Sequence, residues 1–260
     1  MEETENNYNA FQPDIWGQKL ESMLQNGTMR KCVNQNYEGG IKYQGDSVKT
    51  LLEDSDLVID QKKIFAFKIN DIAQAQSNDA IMEAHLQNAK KAIEQVQDEY
   101  LLNQHNFADS NNIVGTIEKP ITLEKNTIYE NFVKLALKLK AIDSENTQRP
   151  WVVINPTIES YLLQSPEFIS SYNVADEELR DGAIGRVAGM DVLVSTNLIE
   201  DAGKYYVLAG QNEAITFASQ LSKIESLRDK DSFSDLVRGL YLYGAETIKP
   251  KSLAKMILAI

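Results

Sequence analysis

A chain of 260 residues with 43% apolar and 25% charged residues is long enough to bury one large core or two modest ones. No apolar run approaches the ~20 residues needed to cross a bilayer, so no transmembrane helix is expected. The net charge of −12 runs against tight nonspecific binding to nucleic acid, which relies on Lys and Arg to neutralise phosphates.

The opening MEETENNYNA has neither the basic start nor the apolar stretch of a secretory signal. A single cysteine, Cys32, excludes an internal disulfide and an all-cysteine metal site. It reads as a small buried hydrophobe, which suits a reducing cytoplasm. The first ~35 residues are rich in Asn, Gln and Gly, with isolated apolar anchors at Phe11, Ile15, Trp16, Leu20 and Leu24. Leu20 and Leu24 are spaced for a short helix, but no wide apolar face accompanies them. The stretch therefore reads as an arm that takes its order from a neighbour.

From 37 to 69 the pattern turns strand-like. Ile41, Tyr43 and Val48 are interrupted by the turn dipeptides Gly39-Gly40 and Gly45-Asp46. IFAFKI then alternates, with Ile64, Ala66 and Lys68 on one face and Phe65, Phe67 and Ile69 on the other. Asn70-Asp71 offers a helix cap. The helix predicted from Asp71 to about Asn103 carries Ile81, Ala84, Ala89, Ala92, Ile93, Val96 and Tyr100 in a narrow stripe. At 1.5 Å per residue it approaches ~45 Å, the length of a spine laid across a sheet.

A second unit follows Gly115 and Pro120. Asn126 or Thr127 caps a predicted helix bearing Ile128, Phe132, Leu135, Ala136, Leu139 and Ile142. Trp151 to Ile154 reads as a buried strand, stopped by Asn155-Pro156. A short helix over 158–163, strands at 192–194 and 205–208, a helix over 214–224 and a strand over 240–248 complete the set. Helices and strands mix without βαβ repeats, which predicts an α+β fold.

Residues that carry chemistry are scarce. The two histidines, His85 and His105, lie about twenty residues apart, whereas paired helical ligands need three or four. Gly182 to Gly189 has glycines spaced like a dinucleotide loop, but the strand follows the loop instead of preceding it, so it reads as a tight turn. Asp54, Asp56 and Asp60 are spaced like calcium ligands, yet Ile59 stands where that loop needs glycine. Asp176, Glu177, Glu178, Asp229 and Asp231 read as solvated charge. No catalytic, cofactor-binding or metal-ligating residue is expected, and hence no cofactor.

Several segments carry a resemblance beyond pattern. FQPDIWGQKL resembles the Phe-x-Pro-x-x-Trp opening of tailed-phage coat proteins, and VNQNYEGGIKYQGDSV resembles their Asn-x-x-Tyr-Glu-Gly and Gly-Asp-x-Val run. DLVIDQKKIFAFKINDIAQAQ is similar to the family's approach to its spine helix. RPWVVINPTIESYLL, GRVAGMDVLVSTNL and FASQLSKIESLRDKDSFSDLVRGLYLYGAETIKP follow in the family's order.

The resemblance implies a major capsid subunit, with no enzymatic activity, in the α+β tailed-phage capsid fold. Its expected parts are an N-terminal arm at 1–34 and an extended β-loop with leading strands at 35–66. A peripheral domain with the spine helix follows at 67–125, an axial domain at 126–239, and a C-terminal strand at 240–260 that returns to the peripheral domain. KTLLEDSD, between Val48 and Leu57, is shorter than the family's usual hairpin there. Implied partners are copies of itself in hexamers and pentamers, with scaffolding, portal and decoration proteins, and packaged DNA as a weak neighbour; no membrane is involved. The implied location is the virion capsid, assembled in the bacterial host cytoplasm. Phe11, Trp16 and Tyr37 are the expected anchors between subunits. An encapsulin-like nanocompartment shell remains the alternative, and an α+β enzyme with an unrecognised site a remote one.

Overall fold

A computed structural model describes residues 13–24, 29–35, 41–43, 57–70, 78–140, 149–171, 185–230, 232 and 234–259. The described elements begin with helix α1 (Pro13–Leu24), strands β1 (Ile41–Tyr43), β2 (Leu57–Ile59) and β3 (Gln61–Asn70), and helix α2 (Asn78–Leu102). Short strands β4 (Ile113–Val114) and β5 (Ile121–Thr122) lead to helix α3 (Ile128–Lys140), strand β6 (Trp151–Ile154), and helices α4 (Pro156–Leu163) and α5 (Pro166–Ser171). Then come β7 (Arg186–Val187), β8 (Met190–Val194), β9 (Glu200–Asp201) and β10 (Lys204–Gly210). The long strands β11 (Ile215–Arg228) and β12 (Ser234–Thr247) precede the last strand, β13 (Leu253–Ala259).

Two sheets carry the architecture. The larger runs β4-β13-β10-β6-β8-β7, with β5 also on β13 and β9 also on β10. Its centre is apolar throughout: all four residues of β6 are buried, as are Tyr206 to Gly210 of β10. A strand buried on both faces needs such an unbroken run. Helix α3 supplies cover, burying Ile128, Phe132, Leu135, Ala136 and Leu139 as the spacing predicts. Asn155 ends β6 and starts α4, its Oδ1 accepting from Ile158 N–H at 2.8 Å with Pro156 in the first turn.

The second sheet is three-stranded, β11-β12-β3. Helix α2 lies against its inner face through Leu86, Ala89, Ile93, Gln97 and Leu101, a stripe at three- and four-residue steps. Its 25 residues make a rod of ~37 Å. It starts later than the sequence predicts, since residues 71–77 lie outside the described ones, and Ala84 and Ala92 face solvent. Tyr241 and Tyr243 of β12 fill the space between sheet and helix, with Gln97 donating to the Tyr241 hydroxyl. Most buried apolar residues of both sheets join one continuous core.

The segment 214–224, expected as a helix, is instead the first part of β11. Its apolar residues Phe217, Leu221 and Ile224 fall at helical spacing. That spacing arises because a β-bulge shifts the register between Leu221 and Lys223. The extra residue turns a strand's two-residue step into a three-residue one. Thirteen register pairs with β12 then outweigh a weak local preference.

Helix α1 packs on β11 and α2, and Leu20 and Leu24 are fully buried. At Gly17 the helix comes close to Ile224, whose Cδ1 lies 3.4 Å from where a Cβ would stand, an ordinary contact distance. After the 3-10 turn Met29–Cys32, Asn34 joins the edge of β11, donating to Ile215 O at 2.9 Å and accepting from Phe217 N–H at 3.0 Å. Strands β1 and β2 pair in parallel, and β2 crosses the outer face of β12 at Gly244. Any Cβ at Gly244 would overlap the Val58 carbonyl oxygen. Most of the segment 35–66, KTLLEDSD included, lies outside the described residues.

Candidate assembly surface

Among the described residues no group of three His, Cys, Asp or Glu is placed to hold a metal ion. His85 stacks on Phe67 with ring centroids 4.9 Å apart, and His105 stacks on Tyr206 at 4.7 Å. Burial pushes His105 down to about 4, with Lys255 adding to the effect. Cys32 is buried, and desolvation with the nearby Asp98 and Asp191 charges pushes its thiol up to about 12. It is therefore protonated and inert as a nucleophile.

The glycine-rich stretch ends in a hairpin. Ala188 and Gly189, both at positive φ, join β7 to β8 as a two-residue turn. Asp60 accepts from the Tyr100 hydroxyl at 3.1 Å, while Asp54 and Asp56 lie outside the described residues. Asp229 accepts from Lys68 at 2.6 Å and from Ser232 at 2.7 Å. Asp231 and the run 176–178 also lie outside the described residues.

Among the described residues, the fold presents an open sheet face with an unpaired edge. On the outer face of the three-stranded sheet, the register aligns Leu227 with Leu236 and Lys68, Glu225 with Arg238 and Ala66, and Lys223 with Leu240 and Ile64. Ile64 is 66% exposed and Leu227 is 42% exposed. Arg238 donates to Glu225 at 2.7 Å and 3.0 Å across the middle of the patch. The far edge of β3, ~33 Å long, pairs with no strand among the described residues. Lys62, Lys63 and Lys68 stand along it, the charged guard expected of an edge that must not aggregate at random.

Of the expected anchors, Trp16 lies on α1, but its side chain is outside the description, as are Phe11 and Tyr37 entirely. Sequence reading assigned the faces of β3 correctly: Ile64, Ala66 and Lys68 are exposed, whereas Phe65 and Phe67 pack on the core. It missed Leu227, because β11 was read as helix only as far as 224. The Leu227–Leu236 pairing is set by the bulge, whose three-residue step looks helical in the sequence.

No family model matches the sequence, and neither does any curated protein. Solved structures do match over most of its length. A Mycobacterium phage Che8 structure superposes with a TM-score of 0.65 at 22% identity, covering 88% of this chain and 90% of that one. The capsid of the cyanophage P-SCSP1u matches with a TM-score of 0.60 at 13% identity, over 87% of this chain and 80% of that one. This is the fold of a tailed-phage capsid subunit. The encapsulin of the holo-SrpI complex from Synechococcus elongatus PCC 7942 has a weaker likeness, with a TM-score of 0.50 at 10% identity over 76% of this chain and 73% of that one.

Proposed function

We propose that this chain is a major capsid protein, a structural subunit without enzymatic activity that assembles with copies of itself into the icosahedral head of a tailed phage. The observation that carries the reading is the match along nearly the whole chain to a phage structure, at a TM-score of 0.65. A head-to-tail contact repeated around an axis closes into a ring when its rotation closes. Small bends in one such contact give pentamers and hexamers, and these tile a shell around double-stranded DNA.

The domain plan expected on the same reading is arm 1–34, extended loop 35–66, peripheral domain 67–125, axial domain 126–239 and returning strand 240–260, with two exceptions in the strand pairing: β11 joins the sheet of β3, and β13 joins the large sheet of β6 and β10. Phe11, Trp16 and Tyr37 are its aromatic anchors on neighbouring subunits, since aromatic side chains dominate many interfaces. Scaffolding, portal and decoration proteins would meet the assembled shell inside the host cytoplasm, and the finished subunit would reside in the virion.

Size-exclusion chromatography with negative-stain electron microscopy tests the reading. Purified protein is expected as rings or very large hollow particles. A stable monomer at all concentrations and salts tried would overturn it. The weaker likeness to an encapsulin supports a second reading, a shell around cargo protein; particles isolated with nucleic acid inside favour the phage head, and particles enclosing an enzyme favour the nanocompartment.

A further inference from the structure

A cavity of about 510 Å³ opens between the Met29–Cys32 turn and one end of the large sheet, lined among others by Lys31, Arg149, Trp151, Asp191 and Leu193. Its charge opposes that of the chain as a whole. Lys31 has no carboxylate within ion-pair distance among the described residues. Arg149 stands 3.9 Å from Asp191, a loose contact, while Arg186 holds the same Asp191 oxygen at 3.3 Å. The cavity lining thus carries two cations, Lys31 and Arg149, against one carboxylate, Asp191, on a molecule whose net charge is −12. Trp151 and Leu193 give the cavity apolar walls, and Trp151 itself is 96% buried, so the walls are fixed.

We propose that this cleft seats an acidic side chain from a second copy of the chain, with Lys31 and Arg149 as its ion-pair partners. The proposal rests on the shell reading given above. Copies that each carry −12 repel one another at long range. A local patch that reverses the sign offsets this repulsion, and the cleft is such a patch. Acidic side chains are the abundant complement: the sequence has 38 Asp and Glu against 26 Lys and Arg. Arginine's planar fork suits a carboxylate received at a partly desolvated interface. The concave shape argues for a peptide rather than a nucleic acid. Duplex DNA needs cations spread along a stripe or face, whereas these converge on a cavity the size of a few side chains.

The test compares two double variants with the same added charge. Lys31→Glu with Arg149→Glu reverses the cleft, and Lys119→Glu with Lys125→Glu reverses two exposed lysines on the segments flanking β5. Circular dichroism and thermal melts check that both fold. Expected is a fall of about tenfold or more in particle yield for the cleft variant, relative to the control variant. Equal assembly of the two variants overturns the proposal while leaving the shell reading standing. A wild-type protein that never assembles overturns both.

Carbodiimide coupling gives a second readout, using particles assembled from mixed light and heavy isotope-labelled wild-type protein. Expected is an amide between Lys31 of one copy and an Asp or Glu of another. A Lys31 that stays uncoupled in assembled particles overturns the proposal. So does a cleft variant that assembles normally but loses binding to double-stranded DNA, since that would make the cleft a phosphate site.

Discussion

Asp98 lies on the buried flank of α2, where its carboxylate accepts hydrogen bonds from Met29 N–H and from the Asn197 side chain. Burial pushes it up to about 6, the neighbouring Glu94 charge adds to this, and the two hydrogen bonds hold it back. The folded state therefore binds a proton more readily than the unfolded chain, so this group stabilises the fold as pH falls from about 6 towards 4. His105 acts in the opposite sense. Burial holds it neutral down to about 4, so below the usual histidine range the unfolded chain takes the proton first and stability falls. The two slopes nearly offset each other in the wild type. Asp98→Asn should remove the acid-side gain and lose about 1–3 kcal/mol more than wild type between pH 7 and 4.5. His105→Gln should lose less than wild type over the same range. Urea midpoints at the two pH values measure both, and parallel behaviour of the two variants would contradict the assignment.

At the level of elements, α1 decides how much of the amino-terminal segment belongs to the subunit's own core. Leu20 and Leu24 are fully buried against β11 and α2, so the helix is a structural member of its own chain. Leu20→Ala should cost about 2–5 kcal/mol in urea unfolding, the range for a large buried side chain cut to a methyl. Removing residues 1–12 leaves α1 and every other described element intact, and should leave the urea midpoint unchanged while preventing complete shells. A lowered midpoint after that truncation would place part of the segment in the core.

The legibility of the fold follows the same division. Elements whose pattern is set locally were readable: the buried run of β6, the stripe of α3 and the alternation of β3 all emerge from residue spacing. Strand β11 was not, because a bulge gave it a helix's spacing and its partners lie elsewhere in the chain. The crossing of β2 over Gly244 was equally hidden, since a glycine in a strand marks close backbone approach without naming what approaches. The cleft was hidden for a related reason: Lys31, Arg149 and Asp191 come from three separate segments, and only the assembled sheet brings them together.

For the molecule as a whole, if the chain builds the proposed phage shell, charge separates binding to itself from binding to a genome. A net −12 gives free subunits a repulsive field towards phosphates, screened only beyond about 10 Å at 0.1 M salt. Of the cations that cluster, Arg238 is paired with Glu225 and Lys68 with Asp229, while Arg149 and Lys31 converge on the cleft. A shell needs this arrangement if DNA is to move freely inside it, because each phosphate contact released on sliding would act as friction. Free subunits are therefore expected not to retard double-stranded DNA at near-physiological salt, and residual binding at low salt should decline with a shallow slope in log salt. Fluorescence anisotropy of a labelled duplex across a salt series measures that slope directly. Tight binding with a slope equivalent to several phosphate contacts would mean that the surface facing the genome grips it, and the acidic balance would then need another explanation.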